Sequence, residues 1–344
     1  MDYTHGHRAD SARWAADYAA GRVPEVLPYG IQRLREHGIT PIVRDKPRGL
    51  RKVVNKVGYQ VDLMHWGAAF DPRPRTDADL SLAWDERTGI PIALSTRRRP
   101  PLISGCIWAA DLRRLPAWHL AAYRRMDAIW VKSTAMLGPL EELGLPSKAL
   151  RYIPMGISAD FYRPEVVPEV RHRIFCVGHD RHRDYDTLLR AVAAVRRAPD
   201  LADAQLELVT PDPVDVPTEV GRRVAHVPAS SLRKLYSSAP VVAVALSPNV
   251  HVSGVTATLE SMACGRALVV TGNPGMEEYV DHGRTGLLVP PGDPDAMAGA
   301  ISELLRDPDR RREMGEAGRR WVLERFSTAV MAASVAELIS SVTG

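Results

Sequence analysis

Apolar residues in the C-terminal half of the chain come in short unbroken runs separated by segments with helical spacing. RIFCV from Arg173, QLELVT from Gln205, VVAVALS from Val241, ALVVT from Ala267 and TGLLVP from Thr285 are the runs. Each is too short for a stable helix and reads as a strand in an α/β layer. A further strand is predicted at VAHV, residues 224–227. Between them DTLLRAVAAVRR, SSLRKLYSSA and TATLESMA repeat apolar positions every three to four residues, which predicts helices. Two amphipathic helices follow, over 293–305 and 310–326, the first announced by Asp293-Pro294 as N-cap and first helical residue. A last helix is predicted over 328–341.

The N-terminal half carries the same alternation less cleanly. SARWAADYAAG predicts a helix; VPEVLPYGIQRLREHGITPIVRD predicts an amphipathic helix ending near His37, a stop at Gly38 and a strand over 39–43. YQVDLMHWG is a mixed apolar stretch, and DPRPRTDAD reads as a surface loop. In LSLAWDERTGIPIALST a helix is expected to give way at Gly89 to a strand over 91–96. A helix over 116–125, the strand DAIWVKS, a helix ending at Gly144 and the strand ALRYIPMG complete this half. No apolar strand-like run precedes Leu27. Either the first strand is missing, or residues 25–27 supply a remnant of it.

Strand and helix in alternation predict an α/β protein. At 344 residues with 45% hydrophobic content, the chain is long enough for two domains of ordinary size, each with its own core. No apolar run is long enough to cross a bilayer, and the polar start MDYTHGHRAD lacks the regions of a signal peptide, which points to the cytoplasm. Cys106, Cys176 and Cys264 are odd in number and far apart, so they form neither a disulfide framework nor a metal site. The net charge of +4 favours anionic ligands. Its clusters, Arg44 to Lys56 and Arg97-Arg98-Arg99, read first as solvated faces, and leave open attraction to an acidic membrane surface or a phosphorylated acceptor. Aromatic and basic residues do not interleave as in RNA-binding sheets, so no nucleic-acid partner is expected.

Candidate chemistry concentrates between His251 and Asp293. A polar turn with Ser253 and Gly254 leads through Val255 and Thr256 into the helix TATLESMA, which Gly265 can terminate in a left-handed cap. The start of that helix offers unpaired N–H groups and the positive end of its dipole, and Gly254 lets a phosphate approach the backbone. Glu260 follows Thr256 by four residues, one turn on along the same face, where it could accept hydrogen bonds from ribose hydroxyls. No GxGxxG fingerprint and no HExxH spacing occurs. Asp184-Tyr185-Asp186 and Asp293-Pro294-Asp295 have metal-binding DxD spacing but stand at helix starts, so both are read as caps.

Three motifs together resemble the retaining glycosyltransferases of family 4, glycosyltransferase group 1: Leu259-Glu260-Ser261-Met262-Ala263-Cys264-Gly265, the Pro274-Gly275 loop with Glu278, and the run from Asp281 to Asp293. The resemblance implies the GT-B fold, two Rossmann-like domains facing a central cleft. It divides the chain into an acceptor-side domain (1–158), a linker (159–170), a nucleotide-sugar-binding domain (171–326) and a C-terminal helix (327–344) that packs back on the first domain in this fold. It implies a hexosyltransferase that moves a sugar from a nucleotide-diphosphate donor to a small-molecule or lipid-linked acceptor, with retention and without a metal or other cofactor. A sugar-nucleotide epimerase or a non-catalytic nucleotide-binding protein of the same fold are the alternatives.

By the same resemblance Gly178, Arg181 and Arg183 hold the donor diphosphate, with Arg183 where the family usually has lysine, and the loop 228–230 lies where relatives contact the nucleobase. Donor binding is thus assigned to Gly178, Arg181, Arg183, His251, Ser253, Gly254, Val255, Thr256 and Glu260, and no catalytic residue is assigned. The family's glutamate eight residues before Glu260 is Val252 here, unless one extra residue in the turn brings His251 to that place. His251 then either meets a sugar hydroxyl or caps the turn. The turn Pro154-Met155-Gly156-Ile157-Ser158 has serine where the family pattern has aspartate.

Overall fold

A computed structural model of the chain describes residues 2–4, 11–43, 78–95 and 99–344. The stretch YQVDLMHWG, most of DPRPRTDAD, the basic cluster from Arg44 to Lys56, and Arg97 and Arg98 lie outside the described residues. The chain forms two compact units, one of Met1–Ala19, Glu25–Pro154 and Thr328–Gly344, the other of Ala20–Pro24 and Met155–Ser327.

The first unit is built on a parallel sheet of six strands: β1 (Asp2–Thr4), β2 (Ile42–Val43), β3 (Ser81–Ala83), β4 (Leu102–Gly105), β5 (Ala128–Val131) and β6 (Leu150–Tyr152), in the order β2-β1-β3-β4-β5-β6. The expectation of a missing first strand, or a remnant at residues 25–27, is therefore corrected. Asp2–Thr4 pairs in parallel with both Ile42–Val43 and Ser81–Ala83. That strand is three residues long, DYT, and lacks the apolar run that pattern reading needs. Residues 25–27 are not in a strand, and the buried Glu25 instead accepts hydrogen bonds from Gln32 Nε2 (2.6 Å) and Thr328 Oγ1 (2.8 Å).

Residues 81–96 also run opposite to expectation. The strand comes first, at Ser81–Ala83, and the helix second, at Glu86–Leu94 with Pro91 inside it. Asp85 decides this, because its carboxylate caps the helix by accepting from the Arg87 N–H at 3.0 Å. β4 was not among the predicted elements, being four residues long behind two prolines. The helix Thr328–Thr343 packs on Pro28–His37, where Gly30, in the left-handed region at φ +69°, leaves room for the Thr328 side chain.

The second unit has another six-stranded parallel sheet: β7 (Arg173–Val177), β8 (Gln205–Val209), β9 (Gly221–Val224), β10 (Val241–Val244), β11 (Ala267–Thr271) and β12 (Leu287–Val289), ordered β12-β11-β10-β7-β8-β9. β9 lies three residues before the predicted VAHV, because GRRV pairs along Leu206–Val209 and VAHV does not. Side chains alternate across the sheet as the two-residue period requires. Ile174 and Cys176 join the core with Leu188 and Val192 of the helix Tyr185–Val195 and Ile301 of the helix Pro294–Arg306. Phe175, between them, meets Tyr236 of the helix Ala229–Ser238 edge to face at 5.0 Å.

The order of strands places a topological switch between β7 and β10. From β7 the chain moves outward to β8 and β9, then returns to the other side at β10. Loops leaving these two strands at their C-terminal ends diverge, and this is where open α/β sheets bind ligands. The loops are 178–184 and 245–254, which contain six of the nine residues assigned to the donor. The other three, Val255, Thr256 and Glu260, lie on the helix that follows directly.

Candidate active site

The first loop is shaped around Gly178. Its φ of +128° is one that side-chain-bearing residues rarely adopt, and its carbonyl accepts a hydrogen bond of 2.7 Å from the Tyr185 hydroxyl. The Arg183 guanidinium folds back over it, so that a Cβ on Gly178 would collide with Nη2. Arg183 Nε and Nη1 are buried without a hydrogen-bond partner among the described residues. Two backbone bonds tie the loop to the strand exit beside it, Asp184 N to Ala245 O (3.1 Å) and Ser247 N to His182 O (2.9 Å). Arg181, in contrast, is exposed.

The second loop ends in the turn before the helix Val255–Ala263. Asn249 Oδ1 accepts from the Ser253 N–H at 2.9 Å, and Gly254, at φ +78°, is the N-cap residue with no side-chain cap. A Cβ on Gly254 would press on Val244 and Leu246 at 3.0–3.3 Å, so glycine is required here by space and by conformation. Val252 also has a left-handed backbone, φ +53°, which is costly for a β-branched residue, and its side chain is fully buried. It offers no polar group at the place of the family glutamate.

His251 is buried too, with Nε2 3.7 Å from Asp180 Oδ2. Asp180 joins the two loops: its Oδ1 accepts from Ser253 Oγ and from the His182 N–H, both at 2.9 Å, and faces His182 Nδ1 at 3.3 Å. Burial alone would raise the Asp180 pKa, but the hydrogen bonds from His251, His182 and Ser253 outweigh it and hold the carboxyl well below the usual range. His251 is thus occupied with a carboxylate across the loops, an arrangement that neither sequence alternative included.

Glu260 lies one helical turn and a half beyond Gly254. It is buried, and its Oε2 accepts a 2.8 Å hydrogen bond from the Tyr236 hydroxyl. Burial pushes its pKa up to about 7, against the lowering effects of the Tyr236 and Tyr162 hydroxyls and the Arg183 charge. Thr256, one turn earlier along the same helix, is exposed where Glu260 is buried. The two are four residues apart and about 40° apart round the helix, one turn along the axis, and Thr256 is the one residue of Val255–Ala263 that is not buried.

Asp180, Asn249, Tyr162 and Tyr236 were not singled out by sequence. Tyr236 sits at an apolar position of a regular helix, where it reads as core, and Tyr162 falls in the linker. Asp180 ends the quoted strand run as one more polar loop residue. The two DxD pairs are caps, as expected: Asp184 accepts from Thr187 N (3.0 Å) and Oγ1 (2.7 Å), and Asp293 from Ala296 N (2.8 Å). Among the described residues no helix is long and apolar enough to cross a membrane.

Residues 171–307, within the second unit, match the family described as glycosyl transferases group 1. The chain is 31% identical over 223 residues to a GDP-mannose-dependent alpha-(1-6)-phosphatidylinositol monomannoside mannosyltransferase of Mycolicibacterium smegmatis, covering 57% of this chain and 57% of the relative. It is 35% identical over 173 residues to the alpha-maltose-1-phosphate synthase of the same organism, covering 44% of this chain and 43% of the relative. The chain thus spans about half the length of the curated relatives it matches. Among solved structures, Anabaena HepE in complex with UDP and glucose is similar at a TM-score of 0.70 and 16% identity, over 99% of both chains. Sucrose-phosphate synthase from Thermosynechococcus elongatus is similar at a TM-score of 0.67 and 19% identity, over 99% of this chain and 98% of that one. The fold is GT-B.

Proposed function

We propose that the protein is a glycosyltransferase that moves a hexose from a nucleotide-diphosphate donor to an acceptor alcohol. The observation that carries this is the Arg183 guanidinium, held over Gly178 with two buried N–H groups unpaired, between the loop after β7 and the helix start at Gly254. A diphosphate would satisfy those donors and take up the amides of the helix start. As the bond from the sugar's C1 to the diphosphate oxygen breaks, its electron pair leaves with the nucleotide, and this positive cradle stabilises the growing charge. The acceptor oxygen forms the new C1–O bond and gives up its proton.

On this reading Gly178, Arg181, Arg183, Ser253, Gly254, Val255 and Thr256 hold the diphosphate and Glu260 the ribose, while His251 stands nearest the sugar. The reading includes retention at C1, no requirement for a metal, a small-molecule or lipid-linked acceptor with contact at a membrane surface, and a cytoplasmic location in keeping with three free cysteines. Relatives that use GDP-mannose and a solved structure with UDP supply the donors to try first. Incubation with a panel of nucleotide sugars, with and without candidate acceptors, tests it. Release of nucleoside diphosphate that increases with an acceptor is expected; conversion of the donor sugar without release, or no turnover of any donor, overturns it.

A further inference from the structure

Two tyrosines close on Glu260 from elements outside its own helix. Tyr236, on the helix Ala229–Ser238, is fully buried and donates its hydroxyl to Oε2 at 2.8 Å. Its ring is fixed edge to face against Phe175 of β7 at 5.0 Å and against Tyr162 at 6.4 Å. Tyr162, 4% exposed, comes from the segment that enters the second unit, and its hydroxyl also reaches the Glu260 carboxyl. A tyrosine in a core normally finds any acceptor at hand. Here the acceptor is a buried carboxyl beside the candidate phosphate site.

We propose that Tyr236 is a positioning residue for nucleotide binding: its hydroxyl fixes the Glu260 carboxyl and keeps it in the ionised form that can accept hydrogen bonds from the ribose. This rests on the reading of Glu260 as the ribose ligand. An ionised carboxylate is acceptor-only, whereas a protonated one turns one oxygen into a donor and loses part of its hold on a diol. The groups that face Glu260 are few. Tyr236 and Tyr162 donate to it, Arg183 attracts it from the loop after β7, and Cys264, on its own helix, is neutral with its thiol pushed up by burial. Of these, Tyr236 makes the short, fully buried bond, and its loss shifts Glu260 further toward the protonated form.

Binding of UDP and GDP, each compared with its 2′,3′-dideoxy counterpart by calorimetry between pH 5.5 and 9, tests this. The ratio of the two affinities cancels the titration of the phosphates themselves. In the wild type the ribose preference is expected to rise through pH 7, with the midpoint near the Glu260 value of about 7. In Tyr236→Phe, which keeps the ring packing, the midpoint should move up by about one pH unit with the alkaline plateau kept within about threefold. Tyr162→Phe should move it the same way by less. A midpoint unchanged in Tyr236→Phe, or a loss of preference equal at all pH values, overturns the proposal while leaving Glu260 as the ribose ligand. Equal affinity for ribo and dideoxy forms in the wild type removes the ribose reading itself.

Discussion

The Arg183 guanidinium occupies the space that a side chain at Gly178 would need, so with the arginine folded back over the loop after β7 only glycine fits at position 178. Two donors of that guanidinium, Nε and Nη1, are buried without a hydrogen-bond partner among the described residues. Leaving them so costs free energy, which an anion bound there would return.

Arg183→Met should therefore separate stability from binding. Methionine fills similar space without buried donors, and removing unpaired ones is worth roughly 1–3 kcal/mol each in such surroundings. The expected outcome is an unliganded protein as stable as the wild type or more so, with nucleoside diphosphate affinity at least tenfold lower. Arg181→Met, at an exposed position, is the comparison and should change affinity less. Chemical denaturation and calorimetry on both variants check this; equal affinity in all three proteins would mean that the helix start alone holds the phosphate.

Val252 tests whether the turn is strained. Its φ of +53° disfavours any residue with a Cβ, and a β-branched one most. Val252→Ala loses buried packing and keeps the backbone conflict, whereas Val252→Gly loses slightly more packing and removes the conflict. Glycine is therefore expected to be the more stable of the two, reversing the usual order in which alanine is favoured by roughly 0.5–1 kcal/mol. Thermal unfolding of the pair decides, and alanine being the more stable would show that the turn relaxes in solution.

How much of this the sequence disclosed depends on whether a feature is carried by side-chain pattern or by backbone and long-range contact. Strands β7, β10, β11 and β12 are largely apolar runs, as suits a parallel sheet covered on both faces, β8 alternates as QLELV, and the reading of residues found all five. β1 lacks that run, and β4 is too short to show a period, so both were missed. Among site residues, Gly178, Arg183 and Gly254 stood out because glycine and arginine in a loop after a strand carry chemical meaning. Tyr236 and Asp180 did not, because their roles come from partners 24 and 73 residues away. The reversal of the expected helix and strand order at residues 81–96 turned on a single cap, Asp85, which the pattern reading passed over.

Glu86 offers a check on the first unit. Its buried carboxylate accepts from three successive backbone N–H groups, Ile107 (2.9 Å), Trp108 (2.7 Å) and Ala109 (3.2 Å), and so holds the chain just after β4. Glu86→Gln puts an amide NH2 where one of the two accepting oxygens stood, leaving at least one buried N–H unpaired. A loss of roughly 1–3 kcal/mol in urea unfolding is expected. No loss would mean that water takes over the released N–H groups.

Glu260 predicts a direction for the dependence of stability on pH. Its carboxyl has an unfolded value near 4.5 and is pushed up to about 7 in the fold by burial, so between these pH values the folded chain binds more proton at this site than the unfolded chain does. Stability from this group is therefore fully present below about pH 4.5, falls as pH rises toward 7, and is level above that. At about 1.4 kcal/mol for each pH unit, the total is roughly 3 kcal/mol. Glu260→Gln, which has no proton to lose, lacks this contribution, so the stability of the variant minus that of the wild type should grow from pH 4.5 to 7 and then stay constant. Urea unfolding of both proteins across that range measures the difference directly. Nucleotide should reverse the trend in the wild type alone, because hydroxyls that bond to the carboxylate lower its pKa and release a proton on binding. A difference that stays flat across the whole range would mean that Glu260 titrates in the fold as it does in the unfolded chain, with Tyr236, Tyr162 and Arg183 together offsetting its burial.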